Sequence, residues 1–486
     1  MLAWPEPWCD PFRALQEHSV LQTYLESLCG TGFAQDSPPA LVSDESGMIS
    51  AIDPERRRRL RYMYHGGKRV CHGLRAIWTL ASPRGEEDGI LLVPGSHNRW
   101  LEPSDEVLQK SVDLGMTELL RPEPGDLILC ASTAMCGVHG DPGRLVASEF
   151  RSARAMPSTG PGEIEAPAWT ADLTSEQKAV VGMRTTGIGG FVVSDGKETG
   201  VALEDELPAV YSGLAAYPDA DPAELWFWDV RGYLVLRGVM DEEWLGAASR
   251  AIGAALAMQE ELPEDHPTKL EEARETALID NDGEWPEATS DRIRGEIHRP
   301  RLGGLYLLPK PHCQPFHRMI AHPAITQRLN WMLGYGHRET GEPMCCVYPK
   351  GTTGGSLHGQ NPAGFYRMDG RSLVEKVNVA WALHDEPPGF GKESGGVVCV
   401  PGSHKASYPI PRGLATSIDL PQVYKPPLKA GDVLMFGALA HGTTAWRASW
   451  PRRTVIQFMG SRNVSIKPAN PAVGWRGRRL SGSWRV

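Results

Sequence analysis

The feature that most constrains how this 486-residue chain can fold is that it repeats itself. Cys9-Asp10-Pro11-Phe12 matches Cys313-Gln314-Pro315-Phe316, and Glu17-His18-Ser19 matches Ala321-His322-Pro323. Tyr64-His65-Gly66-Gly67 falls opposite Leu357-His358-Gly359-Gln360 once a gap is allowed in one copy. Ala76-Ile77-Trp78-Thr79-Leu80 answers Val379-Ala380-Trp381-Ala382-Leu383, and Val93-Pro94-Gly95-Ser96-His97 answers Val400-Pro401-Gly402-Ser403-His404. Pro124-Gly125-Asp126-Leu127 completes the series against Ala430-Gly431-Asp432-Val433. Matches that keep their order along both halves read as a duplication. The first copy is expected to be truncated, because it has no counterpart of residues 227–312. Chain length alone also argues for two domains. The expected division is a degenerate repeat over 1–160, a helical linker over 161–226 and a full domain over 227–486.

Within each copy the apolar residues come in short runs separated by turn formers, and the chain holds 40 prolines and 53 glycines. That pattern predicts a mainly β fold with flanking helices, a barrel or jelly roll. Strands are expected at 305–308, 376–383, 396–400, 433–436 and 454–458. Leu245, Ala248, Ile252 and Leu256 recur at helical spacing and predict a helix over 241–256. A second helix is expected from Thr174, its possible N-cap, and Pro222 marks another helix start. The acidic run over 260–287 is expected to be a surface excursion.

A formal net charge of −9 gives no footprint for nucleic acid. The short basic run Arg56-Arg57-Arg58-Arg59 reads as solvated surface. Nine cysteines without CxxC spacing, two of them adjacent as Cys345-Cys346, suggest no disulfide framework. Neither a signal peptide nor a bilayer-spanning run is evident, so a cytoplasmic protein acting on a small molecule, without membrane or nucleic-acid partners, is expected.

The chemistry concentrates in residues 428–458. Gly431-Asp432 makes a turn before the apolar run Val433-Leu434-Met435-Phe436; His441 follows in a Gly-rich loop, and Arg453 opens the next strand. Upstream, Leu357-His358-Gly359-Gln360 offers a partner histidine. Two histidines at strand ends with an arginine a strand away can serve one metal ion and one carboxylate.

His441-Gly442-Thr443-Thr444 and Pro451-Arg452-Arg453 after a Gly-Asp turn, with Val400-Pro401-Gly402-Ser403-His404 upstream, resemble the phytanoyl-CoA dioxygenase family. These are non-haem iron, 2-oxoglutarate-dependent oxygenases on a double-stranded β-helix, a jelly-roll fold. The likeness runs over about 227–464, opening at Phe227-Trp228-Asp229-Val230-Arg231-Gly232-Tyr233-Leu234-Val235-Leu236. It implies that His358 and His441 bind Fe(II) and that Arg453 binds the distal carboxylate of 2-oxoglutarate; Thr443, two residues beyond His441, is a candidate to hydrogen-bond this cosubstrate, with a plain surface-loop residue as the equal alternative. It also implies hydroxylation of an unactivated C–H bond. Strand alternation lets only one of Arg452 and Arg453 point inward; Arg453 is assigned here, and a one-residue slip reverses the choice.

The family places an acid two residues after its first histidine, and here Gln360 stands there, with Gly67 in the first copy. Three readings follow from the departure. A water, or a carboxylate such as Asp369 or Asp385, completes the iron shell of a working hydroxylase. Alternatively chloride fills the position, as in iron halogenases. The last reading is a catalytically silent binding or scaffold protein. In the first copy His65 matches the first ligand, whereas Met135-Cys136 falls where His441 stands; His139 is the residue that would replace it if the loop has shifted. Arg144 lies opposite Arg453. Pro401-Gly402-Ser403-His404 reads as a structural turn and Trp381 as core.

Overall fold

A computed structural model describes residues 2, 4–42, 60–152, 220–273 and 289–461, apart from brief stretches at 61, 66–67, 100, 102, 111–113, 335–336, 361–363, 369–370, 407–409 and 412–417. The expected linker helix at 174 and Asp369 lie outside the described residues. The chain divides into two compact units. One is Met1–Ala215 with Asp221–Arg231 and Ala406–Tyr408; the other is Ala216–Ala220, Gly232–Lys405 and Pro409–Val486. The named strand pairs are all antiparallel. Among the described residues, no helix is long and apolar enough to cross a membrane.

The first unit holds β1 (Ala34–Leu41), β2 (Tyr62–His65), β3 (Lys68–Cys71), β4 (Gly73–Ala81), β5 (Gly89–Leu92), β6 (Glu118–Leu120), β7 (Leu127–Ala131), β8 (Cys136–His139) and β9 (Arg144–Arg151). They form a four-stranded sheet β1-β9-β4-β7, a three-stranded sheet β6-β5-β8, and the hairpin β2-β3. Leu21, Leu25 and Cys29 of the helix Ser19–Cys29 pack on Leu74, Ala76, Trp78, Val146 and Phe150 of the larger sheet. The helix Pro222–Arg231 also belongs to this unit, its Arg231 Nη2 donating to the Met116 carbonyl at 2.7 Å. Pro222 opens that helix as expected, because a first-turn residue needs no N–H.

The second unit holds β10 (Tyr233–Leu236), β11 (Leu270–Ala273), β12 (Arg299–Leu302), β13 (Arg338–Tyr348), β14 (Gly355–His358), β15 (Phe365–Met368), β16 (Arg371–Val374), β17 (Lys376–Ala382), β18 (Gly396–Cys399), β19 (Val433–Phe436), β20 (His441–Thr444) and β21 (Arg452–Gly460). Seven of them make the sheet β10-β19-β17-β21-β13-β12-β11, and three make β14-β20-β18. The helix Glu242–Ala257 forms where its apolar stripe predicts, with Asp241 Oδ1 accepting the Trp244 N–H at 2.7 Å as N-cap. One expected strand fails. Residues 305–308 contain the helical turn Leu305–Leu307, since Gly304 sits at φ 64° and curls the chain, and Pro309 offers no N–H to a ladder.

The two units use the same hydrogen bonds at the matched motifs. Thr79 N donates to the Asp126 carbonyl at 3.0 Å, and Ala382 N donates to that of Asp432 at 3.0 Å. Ser96 Oγ accepts the Met135 N–H at 2.8 Å, and Ser403 Oγ accepts that of Ala440 at 2.8 Å. Val93 N and Val400 N donate to the carbonyls of those same residues, Met135 at 2.9 Å and Ala440 at 2.8 Å. The residue after each is Cys136 in the first unit and His441 in the second. His18 and His322 likewise precede helices with nearly equal backbone angles, and each ring lies against the matched tryptophan, Trp78 or Trp381.

Candidate active site

His358 ends β14 and His441 begins β20, and the register sets them directly opposite each other. Cross-strand partners project from the same face, and here the ring centroids are 4.5 Å apart. His358 Nδ1 lies 2.7 Å from the Ser356 carbonyl, and His441 Nδ1 lies 3.0 Å from that of Leu439. A carbonyl only accepts, so both rings carry the proton on Nδ1 and offer Nε2 as the lone-pair nitrogen. Burial, the neighbouring His358 and the Arg299 guanidinium push His441 down to about 3, which keeps its imidazole neutral. Gly359, at φ 77°, lies under the His441 ring; a Cβ there would stand 2.1 Å from Cε1 and 3.1 Å from Nε2. Only glycine lets the chain pass so close to the ring's metal-binding edge.

Phase along β21, in the seven-stranded sheet, decides which arginine points to the histidine side. The Phe436 ring packs 4.6 Å from the His441 ring. Phe436 is opposite Asn378 of β17, which is opposite Phe458 of β21. Alternation then carries Ile456, Thr454 and Arg452 on the histidine side, and Arg453, Val455 and Gln457 on the other. The contacts agree. Gln457 Oε1 accepts from Trp381 Nε1 at 2.7 Å, Trp381 packs on Trp244 of the helix Glu242–Ala257, and Arg453 Nη1 donates to Ser249 of that helix at 3.2 Å. The assignment of Arg453 is therefore corrected: the slip of one residue operates, and Arg452 faces the histidines.

Arg452 is fully buried beside a buried acid. Its Nε donates to Glu386 Oε1 at 2.8 Å, with side chains 2% and 1% exposed. Thr454 Oγ1 also donates to Glu386 Oε1 at 3.3 Å, and Val397 N to Oε2 at 3.1 Å. Burial works against the Arg452 charge, but Glu386 together with Cys346 and Tyr348 outweighs it and holds the guanidinium firmly protonated. Arg452 Nη2 nonetheless is buried and makes no hydrogen bond among the described residues. Thr443, on the same side of β20 as His441, has an Oγ1 in the same condition. Buried donors left over this way can be met by ordered water, an ion or a polar ligand, and Arg453 Nε is left over in the same way.

Gln360 is not turned to the histidines. Its Nε2 donates to the Ser403 carbonyl at 2.9 Å, and its Oε1 accepts the Ile410 N–H at 2.6 Å. Asp385 is engaged elsewhere, Oδ1 accepting from Ala430 N at 2.8 Å. Among the described residues, no acid or thiol joins His358 and His441 as a third ligand. The arrangement fits a metal ion held by two neutral imidazoles, each fixed by a carbonyl behind it. It fits a carboxylate-bearing cosubstrate through Arg452 Nη2 and Thr443 Oγ1. Sequence reasoning missed Arg452 by strand phase and Glu386 altogether, since nothing links residues 66 apart before the sheet is built. His65 ends β2, and His139 lies exposed at the far end of β8 from Cys136.

Residues 228–454 match the sequence profile described as phytanoyl-CoA dioxygenase (PhyH). No curated protein matches the chain by sequence. Among solved structures, HygX from Streptomyces hygroscopicus with nickel and 2-oxoglutarate bound is similar at 18% identity and TM-score 0.38, over 51% of this chain and 89% of that one. EctD from S. alaskensis with 2-oxoglutarate and 5-hydroxyectoine is similar at 17% identity and TM-score 0.36, over 53% of this chain and 84% of that one. SnoN, a non-heme alpha ketoglutarate dependent epimerase from nogalamycin biosynthesis, is similar at 19% identity and TM-score 0.33, over 50% and 84%.

Proposed function

We propose, from the match of residues 228–454 to the phytanoyl-CoA dioxygenase (PhyH) profile, that this unit is a non-haem iron, 2-oxoglutarate-dependent jelly-roll hydroxylase acting on an unactivated C–H bond of a small organic substrate. In this reading the first unit is a truncated repeat of the second. His358 and His441 hold Fe(II) through Nε2, and the third protein position is left to a water or another small ligand. Arg452 Nη2 and Thr443 Oγ1 receive 2-oxoglutarate. The observation that carries the reading is the meeting of two tautomerically fixed imidazoles on the sheet β14-β20-β18, on the side of β21 to which a buried, incompletely bonded arginine also points.

Iron and 2-oxoglutarate, when bound, supply the oxygen activation that no side chain here can provide. The chain's own contribution is placement. The Ser356 and Leu439 carbonyls fix both ring tautomers and aim both Nε2 atoms. Glu386 and the Tyr348 ring, 5.5 Å from the Arg452 guanidinium carbon, hold the arginine before any cosubstrate arrives. Phe436 covers one side of His441 and keeps water off it.

A second reading, a silent oxygenase serving as a binding or scaffold module, is favoured by Glu386, which already gives Arg452 one carboxylate. Succinate release from 2-oxoglutarate under air with Fe(II), compared with the His441→Ala variant, separates the two. Release above that background supports the oxygenase; equal backgrounds support the silent module. A chloride-dependent chlorinated product would instead make the enzyme a halogenase.

A further inference from the structure

The first unit carries a group that the proposed oxygenase chemistry does not use, at the strand position that His441 occupies in the second. Cys136 begins β8 and follows Met135, whose N–H and carbonyl make the same bonds to Ser96 and Val93 that Ala440 makes to Ser403 and Val400. Arg75 Nη1 lies 2.7 Å from Cys136 Sγ. The same guanidinium is held from behind by Glu149 Oε1, at 2.9 Å from Nε and 2.8 Å from Nη2. Register explains the assembly: across the larger sheet Cys130 of β7, Arg75 of β4 and Glu149 of β9 stand side by side. Cys130 is therefore beside Arg75, the same residue whose guanidinium reaches Cys136 Sγ. Neither cysteine is in a disulfide, and both are only partly buried.

We propose that Cys136 is a nucleophilic thiolate with Cys130 as its resolving thiol, a redox-active dithiol whose substrate is a small-molecule disulfide. A metal is the weaker reading, because among the described residues neither sulfur belongs to a group of three metal-binding side chains. A guanidinium against a sulfur instead favours the thiolate and its attack on an electrophilic sulfur. Cys136 Sγ attacks one sulfur of the small disulfide, whose S–S bond breaks, and the departing thiolate takes up a proton from solvent. Cys130 then loses its proton, and its sulfur attacks the mixed disulfide at Cys136 and expels the second small thiolate. Two electrons pass from the protein thiols to the small disulfide, and one intramolecular S–S bond forms. The hydrogen bond from Cys130, followed by Arg75, brings the Cys136 thiol down to about 6 in spite of its burial, whereas Cys130 is pushed well up. That split suits an attacking and a resolving thiol. The other charged or titratable groups facing the pair are Glu149 and Cys71.

The test uses the whole chain and oxidised glutathione as probe, with peptide mapping by mass spectrometry. The expected product is a Cys130–Cys136 disulfide, and Cys130→Ser is expected to stop the reaction at one glutathionyl group on Cys136. With limiting iodoacetamide at pH 6.5, Cys136 is expected to react about fivefold faster than an ordinary thiol, after allowing for the lower nucleophilicity of a more acidic one. Arg75→Met is expected to remove that advantage. Adducts spread over the other cysteines with no Cys130–Cys136 bond, or an Arg75→Met variant that labels at the wild-type rate, would overturn the proposal. Should Cys130→Ser fail to fold, the wild-type peptide map alone decides.

Discussion

His358 and His441 face each other directly across β14 and β20, with ring centroids 4.5 Å apart and each Nδ1 on the carbonyl of the residue two earlier in the chain. Neither ring can turn without giving up that bond, so the pair is set for a metal ion before one binds. Replacing either histidine by alanine removes one of the two proposed protein ligands. His358→Ala and His441→Ala are each expected to abolish stoichiometric Fe(II) binding, read by metal analysis after anaerobic gel filtration. Retention of a full equivalent of iron by either variant would contradict the assignment.

The adjacent arginines separate cleanly. Arg452→Ala leaves Glu386 buried without its cation, a change that costs about 3–5 kcal/mol, and it also removes the proposed donor for 2-oxoglutarate. Arg453→Ala removes a single bond to the Ser249 carbonyl, worth about 1 kcal/mol, and leaves cosubstrate binding intact. Urea unfolding and anaerobic 2-oxoglutarate titration of both variants check this. The double variant Arg452→Met with Glu386→Leu is expected to recover stability but not cosubstrate binding.

Gln360 behaves as a loop fastener. Its amide joins the Ser403 carbonyl to the Ile410 N–H. Gln360→Ala is expected to lower stability by about 1–3 kcal/mol while leaving iron stoichiometry unchanged. Loss of iron together with preserved stability would make it a ligand after all.

Lys425 supplies a pH dependence. Its Nζ donates to the Pro387 and Gly389 carbonyls, and burial holds it down to about 8 against an ordinary 10.5. Between those values the unfolded chain binds a proton that the folded chain does not, so this group makes stability rise with pH across that window. The slope is at most about 1.4 kcal/mol per pH unit. Below pH 8 the penalty is fully present and constant. Lys425→Met is expected to flatten the rise seen in the wild type by denaturant titration from pH 8 to 10.5.

Motif order paired His358 with His441 because each lies at a strand end marked by local glycines, and local signals survive in a linear text. The same holds for Val433–Phe436, whose bounds coincide with the observed β19, and for the helix begun by the Asp241 cap. Strand phase did not survive. Arg452 and Arg453 differ by one residue, and only the register of β21 against β17 tells which faces inward. Glu386 was invisible for a different reason, since its role exists only once 66 residues of chain have folded back. Residues 305–308 misled because Leu-Tyr-Leu-Leu has strand composition, whereas Gly304 and Pro309 set the backbone.

The central claim is that His358, His441 and Arg452 together hold iron and 2-oxoglutarate. Anaerobic addition of Fe(II) and 2-oxoglutarate to the intact protein, followed by visible absorption, tests it most directly. A weak charge-transfer band that saturates at equimolar iron, persists in Arg453→Ala and disappears in Arg452→Met/Glu386→Leu is the predicted result. A flat visible spectrum from a folded, iron-loaded protein would contradict it.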